Sequence, residues 1–394
     1  MEIKRAYKFR FYPTPDQETI LARTFGSARF AYNYMLKART DAWFNEQRKV
    51  GYHETSAMLT ALKKDPQYAW LNEVSCVPVQ QALRHLQTAF GNFFSRRAGY
   101  PSFHSKHGTQ SAEYTSSAFK WEKNTLTLAK MKSPLNIRWS RTIPKAAKVT
   151  TVTISRDCAG RYFASLLCDD SAVALPKTTG AIGIDLGLTH FAILSTGEKI
   201  ASPKTFRKNQ GKLAKLQKSL ARKQKGSKNR AKAKTRVARI HAKIADARKD
   251  FLHKLSTRLI RENQTISLET LAVKNMSRSA KGTIEAPGKR VGQKSGLNKS
   301  ILDAGWSEFV RQLQYKALWY GREIIGIDRW YPSSKRCSDC GFVVQSMKLS
   351  VREWCCPSCG SVHDRDINAA RNILAAGLAV SALGEAVSPD LAYA

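Results

Sequence analysis

The sequence predicts a multidomain α+β protein: an antiparallel β unit with an inserted helical layer, then an α/β unit, with a small metal site built on paired cysteines. Three observations predict it. Residues 1–12 and the runs between 114 and 170 alternate with a period of two, while residues 14–110 between them keep helical spacing. Beyond Gly180, strand-like and helix-like segments alternate, which argues for a partly parallel sheet. Finally, two CxxC pairs, Cys337-Ser-Asp-Cys340 and Cys356-Pro-Ser-Cys359, stand 15 residues apart.

The first strand places Ile3, Arg5, Tyr7, Phe9 and Phe11 on one face and Glu2, Lys4, Lys8 and Arg10 on the other. This reads as an edge-type strand with a basic outer face. A helix should follow at Thr14, with Thr14 as cap, Pro15 at the first helical position and Gln17 completing a capping box. Leu21, Phe25, Ala28, Tyr32 and Leu36 continue it on one stripe. A second helix from Pro78 to Phe94 carries Val79, Leu83, Leu86, Phe90 and Phe93. The layer ends in the basic loop RRAGYPSFHSKHG. SAFKWEKN, TLTLAKM, LNIRWS, KVTTVTIS and RYFASLLC then read as short strands of an antiparallel barrel or sandwich, which the first strand joins. Residues 171–180 read as a linker.

AIGID and HFAIL open the next unit. Residues 201–250 carry 18 Lys/Arg against Asp246 and Asp250. Val237, Ile240, Ile244, Phe251, Leu255 and Leu259 keep a stripe there, so the second half is an amphipathic helix with one packed face and one basic face. The strand TISLE, a Gly/Lys-rich loop at 281–299, a helix carrying Ile301, Trp306, Phe309, Val310 and Leu313, and the strand GREIIGID complete the unit. Residues 376–394 read as a poorly ordered tail.

With 66 Lys+Arg against 30 Asp+Glu, the formal charge is +36 over 394 residues. That excess predicts salt-sensitive, sequence-independent affinity for nucleic acid. A membrane role is not expected: the opening MEIKRAYKFRFYP is no signal sequence, and the weakly polar stretch 374–387 is short and holds Ser381 and Glu385. The eight cysteines, four of them in CxxC pairs, suit a reduced cytoplasmic protein with a metal site.

Both knuckles end in glycine, Gly341 and Gly360, which lets the chain turn under the sulfurs. Cys337, Cys340, Cys356 and Cys359 are therefore expected to hold one structural Zn²⁺, four protein ligands leaving no open position. Cys355 adjoins Cys356 and is the alternative in register; Cys76 and Cys158 lie outside. Three carboxylates in separated segments form the second candidate site: Asp185 in AIGIDLGL, Glu269 in TISLETL and Asp366 in HDRDINAA. Each has a plainer reading, as a strand end before Gly187, a loop cap and a helix N-cap. Together they close two apolar strands and open a helix whose dipole favours a carboxylate, an arrangement that suits a pair of Mg²⁺ ions and phosphodiester cleavage.

These segments also resemble a known family. YKFRFYPTPDQ, VQQALRHLQTAFGNFF, GIDLGLTHFAILS, SLETLAVKNM, YPSSKRCSDCG and CPSCGSVHDRDINAARNIL are similar, in this order over roughly 1–375, to the TnpB proteins of insertion sequences. The resemblance implies a RuvC-like, RNase H-fold nuclease domain (181–331 and 363–375) with a zinc ribbon (332–362) inserted. It also implies a wedge β-barrel (1–13 and 111–175) and a helical recognition domain (14–110). The implied activity is that of an RNA-guided DNA endonuclease, related to type V CRISPR effectors. Its guide is a noncoding RNA from the same element and its target is double-stranded DNA beside a short adjacent motif. By position, Asp185, Glu269 and Asp366 fill the family's Mg²⁺-binding triad, with Asp364 the nearby alternative to Asp366. Base pairing would read the sequence while the protein reads shape and motif. The implied location is the prokaryotic cytoplasm, at the nucleoid.

Two other functions fit part of the pattern. An RNase H-fold transposase would use the same acids for strand transfer. A non-catalytic guided regulator would use the charge and the ribbon and have no need of all three acids.

Overall fold

The computed structural model describes residues 1–348 and 350–382, which divide into two compact units, Glu2–Ser171 and Met1 with Ala172 onward. In the first unit β1 (Glu2–Tyr12) leads into α1 (Pro15–Glu46), α2 (Tyr52–Lys64), a 3-10 turn (Pro66–Asn72) and α3 (Cys76–Phe94). The strands β2 (Gln110–Thr115), β3 (Phe119–Glu122), β4 (Thr125–Leu128), β5 (Asn136–Arg138), β6 (Lys148–Arg156) and β7 (Tyr162–Ser171) follow. The capping box at the start of α1 is formed: the Gln17 amide donates to Thr14 Oγ1 at 3.3 Å and the Thr14 amide to Gln17 Oε1 at 3.1 Å.

The main sheet runs β2-β6-β7-β1-β5, all antiparallel, with β3 and β4 as a separate hairpin. β1 is therefore interior, not an edge: it pairs with β7 along its length and with β5 at Arg10–Tyr12. Charged side chains on its second face do not report its neighbours, because ladder bonds use backbone groups. Phe9, Phe11, Leu21, Tyr114, Leu126, Val152, Ile154 and Leu166 fill one core, and Met35, Leu36, Leu71, Val79, Leu83 and Leu86 fill a second among the helices.

The second unit opens with β8 (Ala181–Leu186), β9 (His190–Leu194) and β10 (Lys199–Ala201), then α4 (Thr205–Ala221), α5 (Lys228–Glu262) and β11 (Thr265–Glu269). α6 (Val273–Met276), α7 (Val291–Ala304), α8 (Trp306–Tyr320) and β12 (Glu323–Ile327) come next. β13 (Glu353–Cys355), β14 (Val362–Asp364) and α9 (Arg365–Ala382) close it. The sheet order is β10-β9-β8-β11-β12, with β8, β11 and β12 parallel to one another and β9 antiparallel to both its neighbours, β8 and β10.

Both halves of the basic segment are helical. α4 and α5 form a hairpin closed by Leu213, Ile240 and Ile244 with Phe206, Leu216 and Val237, and Lys212, Lys215, Arg236 and Arg239 face solvent. Residues 291–299, expected in a loop, belong to α7. Contacts outside the helix hold them: Asn298 Nδ2 donates to the carbonyls of Ser277 and Arg278, and Lys294 Nζ to that of Met276. Gly305, at φ 75°, then separates α7 from α8, dividing what the pattern suggested as one helix. Residues 376–382, expected in a tail, continue α9; the remainder of that tail, 383–394, lies outside the described residues. No described helix is long and apolar enough to cross a membrane.

Candidate active site and cysteine cluster

Strand periodicity decides where the acids go. Ile182 and Ile184 of β8 and Ile266 and Leu268 of β11 pack into the core shared with Leu252, Leu255 and Leu259 of α5 and Phe309 and Leu313 of α8. Gly183 and Asp185, and Ser267 and Glu269, therefore face the other side. That side is covered by α9, which approaches closely. A methyl group on Gly183 would lie 2.1 Å from the Ala370 carbonyl, and one on Gly377 would lie 2.1 Å from Ser267 Oγ. Leu268 pairs with Ile184, so Glu269 and Asp185 sit one step beyond, side by side at the carboxyl ends of parallel strands. α9 runs antiparallel to β8, which brings Asp366 in its first turn over that same end.

Electrostatics record the convergence. Burial pushes the Asp185 carboxyl up to about 7, and the charges of Glu269 and then Asp366 push the same way against Arg365. Burial also raises Glu269, opposed by the Ser333 hydroxyl, which donates to Glu269 Oε1 at 2.7 Å. Arg352 approaches Asp366 at 3.8 Å. Such a set of hard oxygen donors, mutually repelling and partly buried, suits divalent cations. It is open: among the described residues the cysteine cluster is the one group of three or more candidate ligand atoms all within 4.8 Å of each other.

Asp364 and Asp366 differ in their partners. Asp364 Oδ1 accepts from the amides of Asp366 and Ile367 at 3.1 and 3.0 Å, and its other oxygen meets Lys199 Nζ at 2.6 Å. Burial works against its charged form, but Lys199 and those amides outweigh it and hold the carboxyl below its ordinary range. Asp364 thus caps α9, the role the plain reading assigned to Asp366.

Cys337, Cys340, Cys356 and Cys359 come together, with sulfurs 3.7 Å apart for Cys337–Cys359 and 3.6 Å for Cys340–Cys356. Tetrahedral Zn–S bonds of about 2.3 Å require sulfurs about 3.8 Å apart, so the four thiols fit a zinc ion. Cys355 turns away and reaches the Gly360 carbonyl at 3.3 Å. The pattern missed His363, whose Nε2 lies 3.0 Å from Cys337 Sγ and whose ring packs on Trp354. It also missed Ser333, Asn368 and Asn372. His363 stands close enough to the knuckles to have been suspected, and the two asparagines are one turn apart on a helix; Ser333 carries no local signal.

The chain is 55% identical over 390 residues, 99% of its length and 93% of the other, to a Streptomyces pristinaespiralis protein named "Putative RNA-guided DNA endonuclease". It is 36% identical over 98% of its length, and 96% of the other, to the Escherichia coli K12 protein "Putative RNA-guided DNA endonuclease InsQ". The chain belongs to the TnpB family. Residues 165–280 match the family model OrfB_IS605, described as "Probable transposase", and residues 306–373 one described as "Cas12f1-like, TNB domain". In this TnpB chain residues 1–48, which match a model described as "Helix-turn-helix domain", fold as β1 and the single 32-residue helix α1. A Cas12f1 chain, solved with its sgRNA and target DNA, shares the fold at 14% identity and a TM-score of 0.55, covering 94% of this chain and 98% of that one.

Proposed function

We propose that this protein is an RNA-guided DNA endonuclease of a transposable element, cutting double-stranded DNA beside a short adjacent motif by Mg²⁺-dependent phosphodiester hydrolysis. The observation that carries the reading is the meeting of Asp185, Glu269 and Asp366 at one end of a parallel sheet, where open α/β sheets place their ligands. Its close relatives carry names of the same meaning.

Asp185, Glu269 and Asp366 would hold the ions. When bound, Mg²⁺ supplies an activated water and neutralises charge developing on the phosphate. Asp364 and Lys199 keep the start of α9, and so Asp366, in place. The cysteine cluster would hold one structural Zn²⁺ as a ribbon within a RuvC-like domain. The sheet of the first unit would be the wedge barrel and α1–α3 the recognition layer. The basic residues would neutralise phosphates of a guide RNA from the same element and of its target, in the prokaryotic cytoplasm.

The test uses the full chain purified with its RNA. Asp185→Ala, Glu269→Ala and Asp366→Ala should each lower cleavage by orders of magnitude with target binding little changed. Replacing the terminal segment of the guide should move the cut to the matching DNA without changing the adjacent motif. Cutting that ignores the RNA supplied would favour the transposase reading, and near-normal cutting by one alanine variant would remove that residue from the site.

A further inference from the structure

The cysteine cluster and the acidic triad are joined by a short segment, residues 333–336, that begins at the buried Ser333 and that neither site accounts for. Ser333 lies between β12 and Cys337 and is buried, as are Asn368 and Asn372 of α9. On one side the Ser333 hydroxyl donates to Glu269 Oε1 at 2.7 Å. On the other, the Ser333 carbonyl accepts from Asn372 Nδ2 at 2.8 Å. The Arg336 carbonyl accepts from Asn368 Nδ2 at 2.7 Å and Asn372 Nδ2 at 2.6 Å, and the Ser338 amide donates to Asn368 Oδ1 at 2.9 Å. Asn368 stands two residues after Asp366 on the same helix.

The chain of bonds thus runs from Glu269 through Ser333 to the first knuckle, and from the knuckle through two asparagines to the helix that carries Asp366. We propose that Ser333 is a positioning residue: it holds the Glu269 carboxylate in its metal-facing orientation and makes that orientation depend on the ribbon. The inference rests on the reading of Asp185, Glu269 and Asp366 as the Mg²⁺ site.

The physical reason is the freedom of a glutamate. Glu269 has three side-chain torsions and sits at a strand end, where backbone pairing alone does not fix its oxygens. One hydroxyl donated to Oε1 selects a rotamer and leaves Oε2 for a cation. Outer partners of this kind are worth about 10–100-fold in metal affinity or activity. Ser333 can serve only while its own backbone is held, and that is the work of Asn368, Asn372 and the knuckle beyond. Coupling between two sites is reciprocal, so zinc occupancy and Mg²⁺ affinity should rise and fall together.

The experiment compares the wild-type full chain with Ser333→Ala and Ser333→Thr, with Asp185→Ala as reference. Cleavage by the RNA-loaded protein gives the half-saturating Mg²⁺. Mn²⁺ titration of the RNA-free full chain, read as the free-ion paramagnetic resonance signal with the Asp185→Ala signal subtracted, gives affinity without turnover. Ser333→Ala should need about 10-fold more of either ion or worse. Ser333→Thr, which keeps the hydroxyl, should return close to wild type, and zinc content and target binding should be unchanged in both. Wild-type ion requirements in Ser333→Ala would overturn the proposal. So would loss of zinc or target binding together with activity, since Ser333 would then merely maintain the fold. If Asp185→Ala also cleaves normally, the reading of the metal site falls instead.

Discussion

At Asp185 the proposed metal-binding role and the stability of the metal-free fold pull in opposite directions. Its folded carboxyl keeps a proton up to about 7, whereas in the unfolded chain an aspartate loses it near 3.9. Between those values the folded state holds more protons, so its contribution to stability falls as pH rises through that window. Above it, the metal-free protein contains a half-buried anion beside two others. Replacing it by its neutral isostere should therefore help the empty protein. We expect zinc-replete Asp185→Asn, without Mg²⁺, to melt a few degrees above wild type at pH 8, with the gap clearly narrower at pH 5 and closing only near the unfolded value of about 3.9. Added Mg²⁺ should raise wild type and leave the variant in place, because only a ligand that binds the folded state stabilises it. Calorimetry at the two pH values decides; a variant that melts lower at pH 8 without Mg²⁺ contradicts the account.

Among the elements, the segment that carries the four cysteines has the least core of its own. β13 and β14 are three residues each, and the segment depends on its sulfurs and on α9 for position. Zinc should supply folding free energy there. Cys340→Ser or Cys356→Ser should lose the zinc, measured as about one per chain in wild type, and make residues 332–362 sensitive to protease. Cys355→Ser should keep both metal and resistance, since its thiol faces the Gly360 carbonyl. Zinc retained in Cys356→Ser would transfer the ligand role to Cys355.

For the whole molecule, charge is the dominant fact. A chain at +36 should bind structured RNA tightly at low salt and weakly at high salt, as each neutralised phosphate releases counterions. With 6–10 phosphate contacts, affinity should fall by about 10³-fold or more between 50 and 200 mM salt. Filter binding of the copurified RNA measures it, and a flat salt profile would mean that the basic surfaces, the α4–α5 hairpin included, are not the contact.

The two sites differ in how far the residues alone reveal them. The four cysteines, the capping box at Thr14 and the period-two strands are legible because spacing along the chain encodes them directly. The three acids are recognisable as strand ends and a helix start, and by resemblance as a triad. What joins them is not local. The same alternating pattern serves an edge or an interior strand, so only pairing with β7 and β5 placed β1 inside. The loop at 291–299 became helix because Asn298 and Lys294 found carbonyls in residues 276–278, and 376–382 became helix because Gly377 packs on Ser267 and the Ser381 hydroxyl donates to Glu323. Ser333, Asn368, Asn372 and His363 took their roles from neighbours distant in sequence. The sequence by itself determined which groups are candidates for the chemistry, because side-chain type and local spacing are written in it. Tertiary structure decided which of them touch, because those bonds run between backbone carbonyls and side chains that many sequences share.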